Sequence, residues 1–140
     1  MFHTLGIRPN LLALWGWLGL GLIYLVLTLP PSEAHTPLQR RCGWLSNPTP
    51  GNIWLTDRDG EWIIAIQGGY QMPEEWPWPS FSPQQWVITN TGNYGYGCAC
   101  LTLEANPKSR QVLKIKSSQP LPLATCRQDR HLVPQTGGDS

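Results

Sequence analysis

Residues 52–66 read Asn52-Ile53-Trp54-Leu55-Thr56, then Asp57-Arg58-Asp59-Gly60, then Glu61-Trp62-Ile63-Ile64-Ala65-Ile66. This stretch decides the fold class. The two flanking runs are short, β-branched and aromatic, and their pattern has a period of two rather than 3.6, so they read as strands. Asp at the first turn position and Gly at the fourth suit a type I turn closed by a bulge, with Gly60 in the left-handed region. That register sets Leu55 opposite Ile63 and Trp54 opposite Ile64. Both faces are then largely apolar, and a central hairpin covered on both sides is expected, with Trp54 and Trp62 in the core. The acidic turn is not a calcium loop. An EF-hand loop with its glycine at Gly60 needs an oxygen ligand at position 55 and a Glu at 66, where this chain has Leu55 and Ile66.

Downstream, Gln67-Gly68-Gly69-Tyr70 ends the hairpin, and Gln71 to Trp86 carries Pro73, Pro77, Pro79 and Pro83 among Trp76, Trp78 and Trp86. Prolines at that density exclude helix and central strand and leave extended chain, in which Trp76 and Trp78 project to a similar side. Trp86-Val87-Ile88 is a short strand. Tyr94 to Leu103 is the next, and its alternation puts Tyr94, Tyr96, Cys98 and Cys100 on one face. The other face, Gly95, Gly97 and Ala99, is a bare strip that invites close approach of a flat ring, the nearby Trp residues being candidates. In Gln111 to Lys116, Leu113 and Ile115 are expected to face the core, while Lys114 and Lys116 protect an exposed edge. The expected fold is therefore all-β: one small domain of short antiparallel strands with a Pro/Trp-rich loop, from Cys42 to Arg127, with no helix longer than two turns.

The amino-terminal part differs from the rest. Residues 11–29 carry no charge, follow Arg8, and precede Pro30-Pro31-Ser32-Glu33-Ala34. That is the order of a secretory signal, with cleavage expected after Ala34. The apolar core is nearly long enough to span a bilayer, so an uncleaved membrane anchor is the alternative. Residues 1–34 are thus a signal peptide or anchor, 35–41 a linker, 42–127 the β domain and 128–140 a polar tail. The chain is expected to be exported, periplasmic or extracellular.

Four cysteines, Cys42, Cys98, Cys100 and Cys126, all follow that segment. An even count in a small exported domain reads as two disulfides. Zinc is disfavoured because only Cys98 and Cys100 are closely spaced. Those two project from one face and should not pair with each other, so one meets Cys42 and the other Cys126. Of the two arrangements, Cys42–Cys100 with Cys98–Cys126 is preferred.

Composition narrows the function. Ten basic and nine acidic side chains leave a net charge of +1 with no block of like charge, which speaks against a nucleic-acid groove. Triad catalysis needs a positioned base, and after Ala34 the histidines are His35 and His131, both in flanks. Asp57, Asp59 and Glu61 belong to a turn, and Glu74 with Glu75 to a loop, so no carboxylate pair encloses a sugar ring. No catalytic, cofactor-binding or metal-ligating residues are assigned. The aromatic residues are the positive signal: eight Trp in 140 residues, of which Trp76 and Trp78 sit beside prolines and, with Tyr70, form the candidate binding surface. The alternative is that those two rings close over the Gly95/Gly97 strip as a lid. A non-enzymatic envelope module that binds glycan, peptide or protein is expected; an inhibitor or accessory of a cell-wall enzyme is the alternative, and a small enzyme a lesser one.

Several words of the sequence resemble a known family: Cys42-Gly43-Trp44, Asn47-Pro48-Thr49-Pro50-Gly51-Asn52, Trp54-Leu55-Thr56-Asp57, Gln67-Gly68-Gly69-Tyr70, Tyr94-Gly95-Tyr96-Gly97-Cys98-Ala99-Cys100 and Cys126-Arg127. They look like the signature of the bacterial domain of unknown function 4087. The resemblance runs from Cys42 to Arg127 and implies a small exported protein with the same cysteine framework. It brings no activity and no site residues, and Met72 to Pro79 departs from the family pattern.

Overall fold

The computed structural model describes residues 36–135. The segment 11–29, the expected cleavage after Ala34 and residues 136–140 of the tail lie outside the described residues. Six strands follow one another: β1 (Gln39–Thr49), β2 (Asn52–Asp57), β3 (Gly60–Ala65), β4 (Trp86–Asn90), β5 (Tyr94–Asn106) and β6 (Gln111–Leu121), and then one short helix, α1 (Leu123–Arg127). The all-β expectation holds.

The hairpin of β2 and β3 forms where the turn residues place it, with Gly60 at φ 112°. Its register is one residue off the expected one: Leu55 faces Trp62 and Trp54 faces Ile63. Asp57 pairs directly with Gly60, and the extra residue is absorbed by a shift between Ile53 and Trp54, so the irregularity sits away from the turn. Trp62 enters the core as expected. Trp54 is only half-buried, because it lies beside Ser46 on the face opposite Leu55.

The sheet runs β1-β2-β3-β6-β5-β4, and β1 also pairs with β5. Five strands therefore close into a barrel, β1-β2-β3-β6-β5. All its ladders are antiparallel except the short parallel contact of β3 with β6 at Ile63 and Gln111. This is the connectivity of an OB-type Greek-key barrel, and connectivity alone assigns no ligand. On one side of β5, β6 pairs from Asn106 to Cys98, and β4 takes over from Gly97 to Tyr94.

Two apolar layers result. The barrel interior holds Leu45, Leu55, Trp62, Ile64, Leu101, Leu103, Val112 and Ile115. On the outer face of β1 and β5, Trp44, Tyr96 and Cys98 pack with Cys126 and Leu132, and the Trp44 and Tyr96 rings meet edge to face at 5.4 Å. Leu132, in the stretch read as a polar tail, is only 8% exposed. Cys42–Cys100 clips β1 to β5, and Cys98–Cys126 holds α1 against the barrel. This is the preferred pairing, and no cysteine is free among the described residues. Two such bonds suit an oxidising compartment.

One core assignment is corrected. Leu113 is 37% exposed while Val112 is buried. The ladder shift between Glu104 and Ala105 leaves Leu113 without a partner on β5. A bulged residue turns outward and hands its inward place to its neighbour.

The proline-rich segment has a structural task. Backbone bonds from Ile66 N to Tyr70 O and from Met72 N to Ile64 O fold it back along β3. It then follows β6 in the same direction: Tyr70 Oη donates to Val112 O at 2.8 Å, Glu74 pairs with Lys114 at 3.5 Å, and Ser118 Oγ donates to Pro77 O. The segment thus covers the seam where β3 and β6 part. Prolines suit that place, since an extended chain held by side chains needs few backbone donors.

Candidate functional site

Two polar or aromatic constellations stand out, at different places on the barrel. One is a plug at the barrel end. Arg41 and Asp57 are inward-facing residues of β1 and β2. The Arg41 guanidinium donates to Asp57 at 2.6 Å and to Asp59 at 2.9 Å, and Trp62 Nε1 donates to the second oxygen of Asp57 at 3.0 Å. The guanidinium carbons of Arg41 and Arg110 lie 3.8 and 4.7 Å from the Trp62 ring centroid. Burial works against the Arg41 charge, yet the hydrogen bonds and charges of Asp57 and Asp59 outweigh it and hold the group above its ordinary pKa. Asp57 is a buried carboxylate, and both its oxygens are hydrogen-bonded.

The other is an aromatic groove. Trp76 packs against the barrel core and carries Trp78 at a ring separation of 5.0 Å. Trp78 also meets Trp86 at 5.9 Å and Phe81 at 6.5 Å, and Phe81 meets Trp86 at 4.9 Å. The bare strip of β5 explains how this group is seated. A Cβ at Gly97 would lie 2.7 Å from Phe81 and 2.9 Å from Trp86, and one at Gly95 would run into the β4 backbone at Val87. Only glycine lets β4 and these rings come so close. The rings over the strip are therefore Phe81 and Trp86, and Trp78, seated on Trp76, packs against both.

Between the rings and the β4–β5 turn runs an open groove of about 560 Å³, lined by Trp78, Phe81, Trp86, Tyr94 and Ile88, by Pro79 and Pro83, and by Asn47, Ser80, Ser82, Gly92 and Asn93. None of these side chains is charged. Trp86 is held in place by its Nε1, which donates to Asn93 O at 3.0 Å. Trp78 remains 39% exposed and is flanked by Pro77 and Pro79, which fix its backbone.

The three residues of the expected surface are thus separated. Trp78 lines the groove. Trp76 supports it from beneath, half-buried. Tyr70 does not line it; its hydroxyl is used on β6, and burial raises its phenol above the ordinary pKa. Sequence reasoning missed Phe81, Trp86 and Tyr94 as groove residues. The glycines of β5 were their signal, since a strip without side chains must be filled by rings from elsewhere. Among the described residues no cluster of His, Cys, Asp and Glu has metal-binding geometry, and no helix is long and apolar enough to cross a membrane.

No curated protein and no solved structure matches this chain. A family model does, over residues 36–133, which takes in all six strands, both disulfides and the groove. On that match the chain belongs to the family described as protein of unknown function DUF4087.

Proposed function

We propose that this chain is an exported, non-enzymatic recognition domain whose groove binds an uncharged glycan segment. The observation that carries this reading is the lining: exposed and half-exposed ring faces interleaved with amides and hydroxyls, and no charge. Sugar rings present apolar faces that stack on Trp and hydroxyls that bond to amides. A charged peptide would find no counter-ion there. The fixed backbone at Trp78 lowers the ordering cost of binding. Export is supported by the reading of residues 1–34 and by the two disulfides. His131 is exposed and does not line the groove, in keeping with a binding role. The tethers of Glu74 to Lys114 and of Pro77 to Ser118 favour the groove over a protruding inhibitory loop.

Titration with neutral oligosaccharides, both glucose and N-acetylglucosamine oligomers, followed by tryptophan fluorescence and calorimetry tests this. Binding is expected in the wild type. It should weaken at least about tenfold in Trp78→Ala, with stability kept within about 1 kcal/mol as for surface substitutions. Binding that ignores the substitution would place the site elsewhere. Failure of every neutral oligosaccharide, with capture of an uncharged peptide instead, would end the glycan reading.

A further inference from the structure

We propose that β4 is a strand-addition edge and that its occupant is a second copy of this chain, related by a two-fold axis near Ile88. The inference rests on the β4 backbone and not on the ligand of the groove, so either can fail alone.

Among the described residues, β1, β2, β3 and β5 are paired on both sides, and β4 is paired only with β5. No other backbone hydrogen bond reaches Val87 to Asn90, and Ile88, Thr89 and Asn90 are exposed. The free stretch of β6 is different. It carries Lys114, Lys116 and Pro120 and is covered by the proline-rich segment, the usual guards of an edge. β4 reads Trp86-Val87-Ile88-Thr89-Asn90, with no charge and no proline. Its one guard is the bulge between Ile88 and Asn90. Such an edge is a template for another strand.

The strand is compatible with itself. Antiparallel pairing about Ile88 sets that side chain, 60% exposed, beside its own copy, with Trp86 opposite Asn90 and Val87 opposite Thr89. No charge meets a charge. Self-pairing satisfies two open edges at once, and because the barrel and the proline-rich segment close the others, assembly stops at two copies rather than growing into a fibre. The chain's own tail is a poorer occupant. Gln135 lies near Thr89, where both line one small cavity, but residues 136–140 read Thr-Gly-Gly-Asp-Ser, and Gly and Asp are weak strand formers. Ile88 also lines the groove, so pairing would set two grooves side by side. A five-residue ladder is a small interface, and a reversible dimer is expected.

The test is sedimentation of the exported chain, residues 35–140 with both disulfides formed, over a concentration series, with Ile88→Lys and Ile88→Glu. Position 88 is exposed, so both variants should melt like the wild type. Each should weaken self-association about tenfold or more, because like charges then meet across the axis. An equimolar mixture of the two should restore it, which neither an unrelated peptide nor the tail could do. A monomeric wild type, variants that associate like the wild type, a mixture that does not recover, or association lost on deleting residues 136–140 would each overturn the proposal.

Discussion

Trp62 and Trp78 are the same side chain in two very different settings. At the barrel end Trp62 is 3% exposed, its N–H is bonded to Asp57, and two guanidinium groups lie over its ring. In the groove Trp78 meets the rings of Trp76, Phe81 and Trp86 and keeps 39% of its surface in water. What separates them is the completeness of their partners. A ring whose faces and polar atom are all engaged holds the fold together, and a ring with a face left over is free to bind. Trp76 lies between the two, with its weight on the core and Trp78 on top of it.

The largest expected effect sits at the plug. Trp62→Ala should destabilise by about 3–5 kcal/mol, the range for a buried aromatic side chain, and it also strips a donor from buried Asp57. Denaturant unfolding of the variant measures this, and a loss as small as that of Trp78→Ala would erase the distinction between the two sites. Trp76→Ala should fall between them, at about 1–3 kcal/mol, and should also weaken ligand binding, because Trp78 loses its support. If Trp76→Ala is neutral for both properties, Trp78 is positioned by Phe81 and Trp86 alone.

The smallest effect is at Tyr70, which sharpens the comparison by testing the cover over β6. Tyr70→Phe removes one hydrogen bond to Val112 O, worth about 1 kcal/mol. Because burial raises the folded pKa of Tyr70, its contribution is fully present below the unfolded value of about 10 and is lost as pH rises through the folded one. The stability gap between wild type and Tyr70→Phe should therefore shrink above about pH 10. A gap that stays constant through that range would mean that the phenol does not contribute through this bond.

Legibility in the sequence followed the range of the interactions. The β2–β3 hairpin was readable because its turn, Asp57 to Gly60, is local chemistry, and only the placing of the bulge moved the register. Alternation excluded a Cys98–Cys100 bond, since the two share a face, but which of them meets Cys42 was fixed only by the register of β1 against β5. β1 was not. Trp44 and Leu45 are adjacent apolar residues, one packing outside the barrel and one inside, so a strand between two apolar layers shows no alternation, and inward-facing Arg41 hides it further. Leu113 and Val112 exchanged roles for a similar reason: a bulge in a ladder depends on the partner strand. The groove was half readable. Trp78 announced itself among the prolines, whereas Phe81, Trp86 and Tyr94 became part of the site only when β5 brought its glycines beneath them.

The β class, the central hairpin, the cysteine framework and the family are legible in residue order alone, because each depends on neighbouring residues, on side-chain alternation or on words of fixed spelling. That five strands close into a barrel, that the proline-rich segment seals β6 and leaves β4 bare, and which tryptophan is buried emerge only in the folded chain. Those outcomes depend on contacts between residues far apart in the chain, such as Arg41 with Asp57 and Tyr70 with Val112. Burial is a property of the assembled surface: the same indole is core or contact according to what the closed barrel places against it.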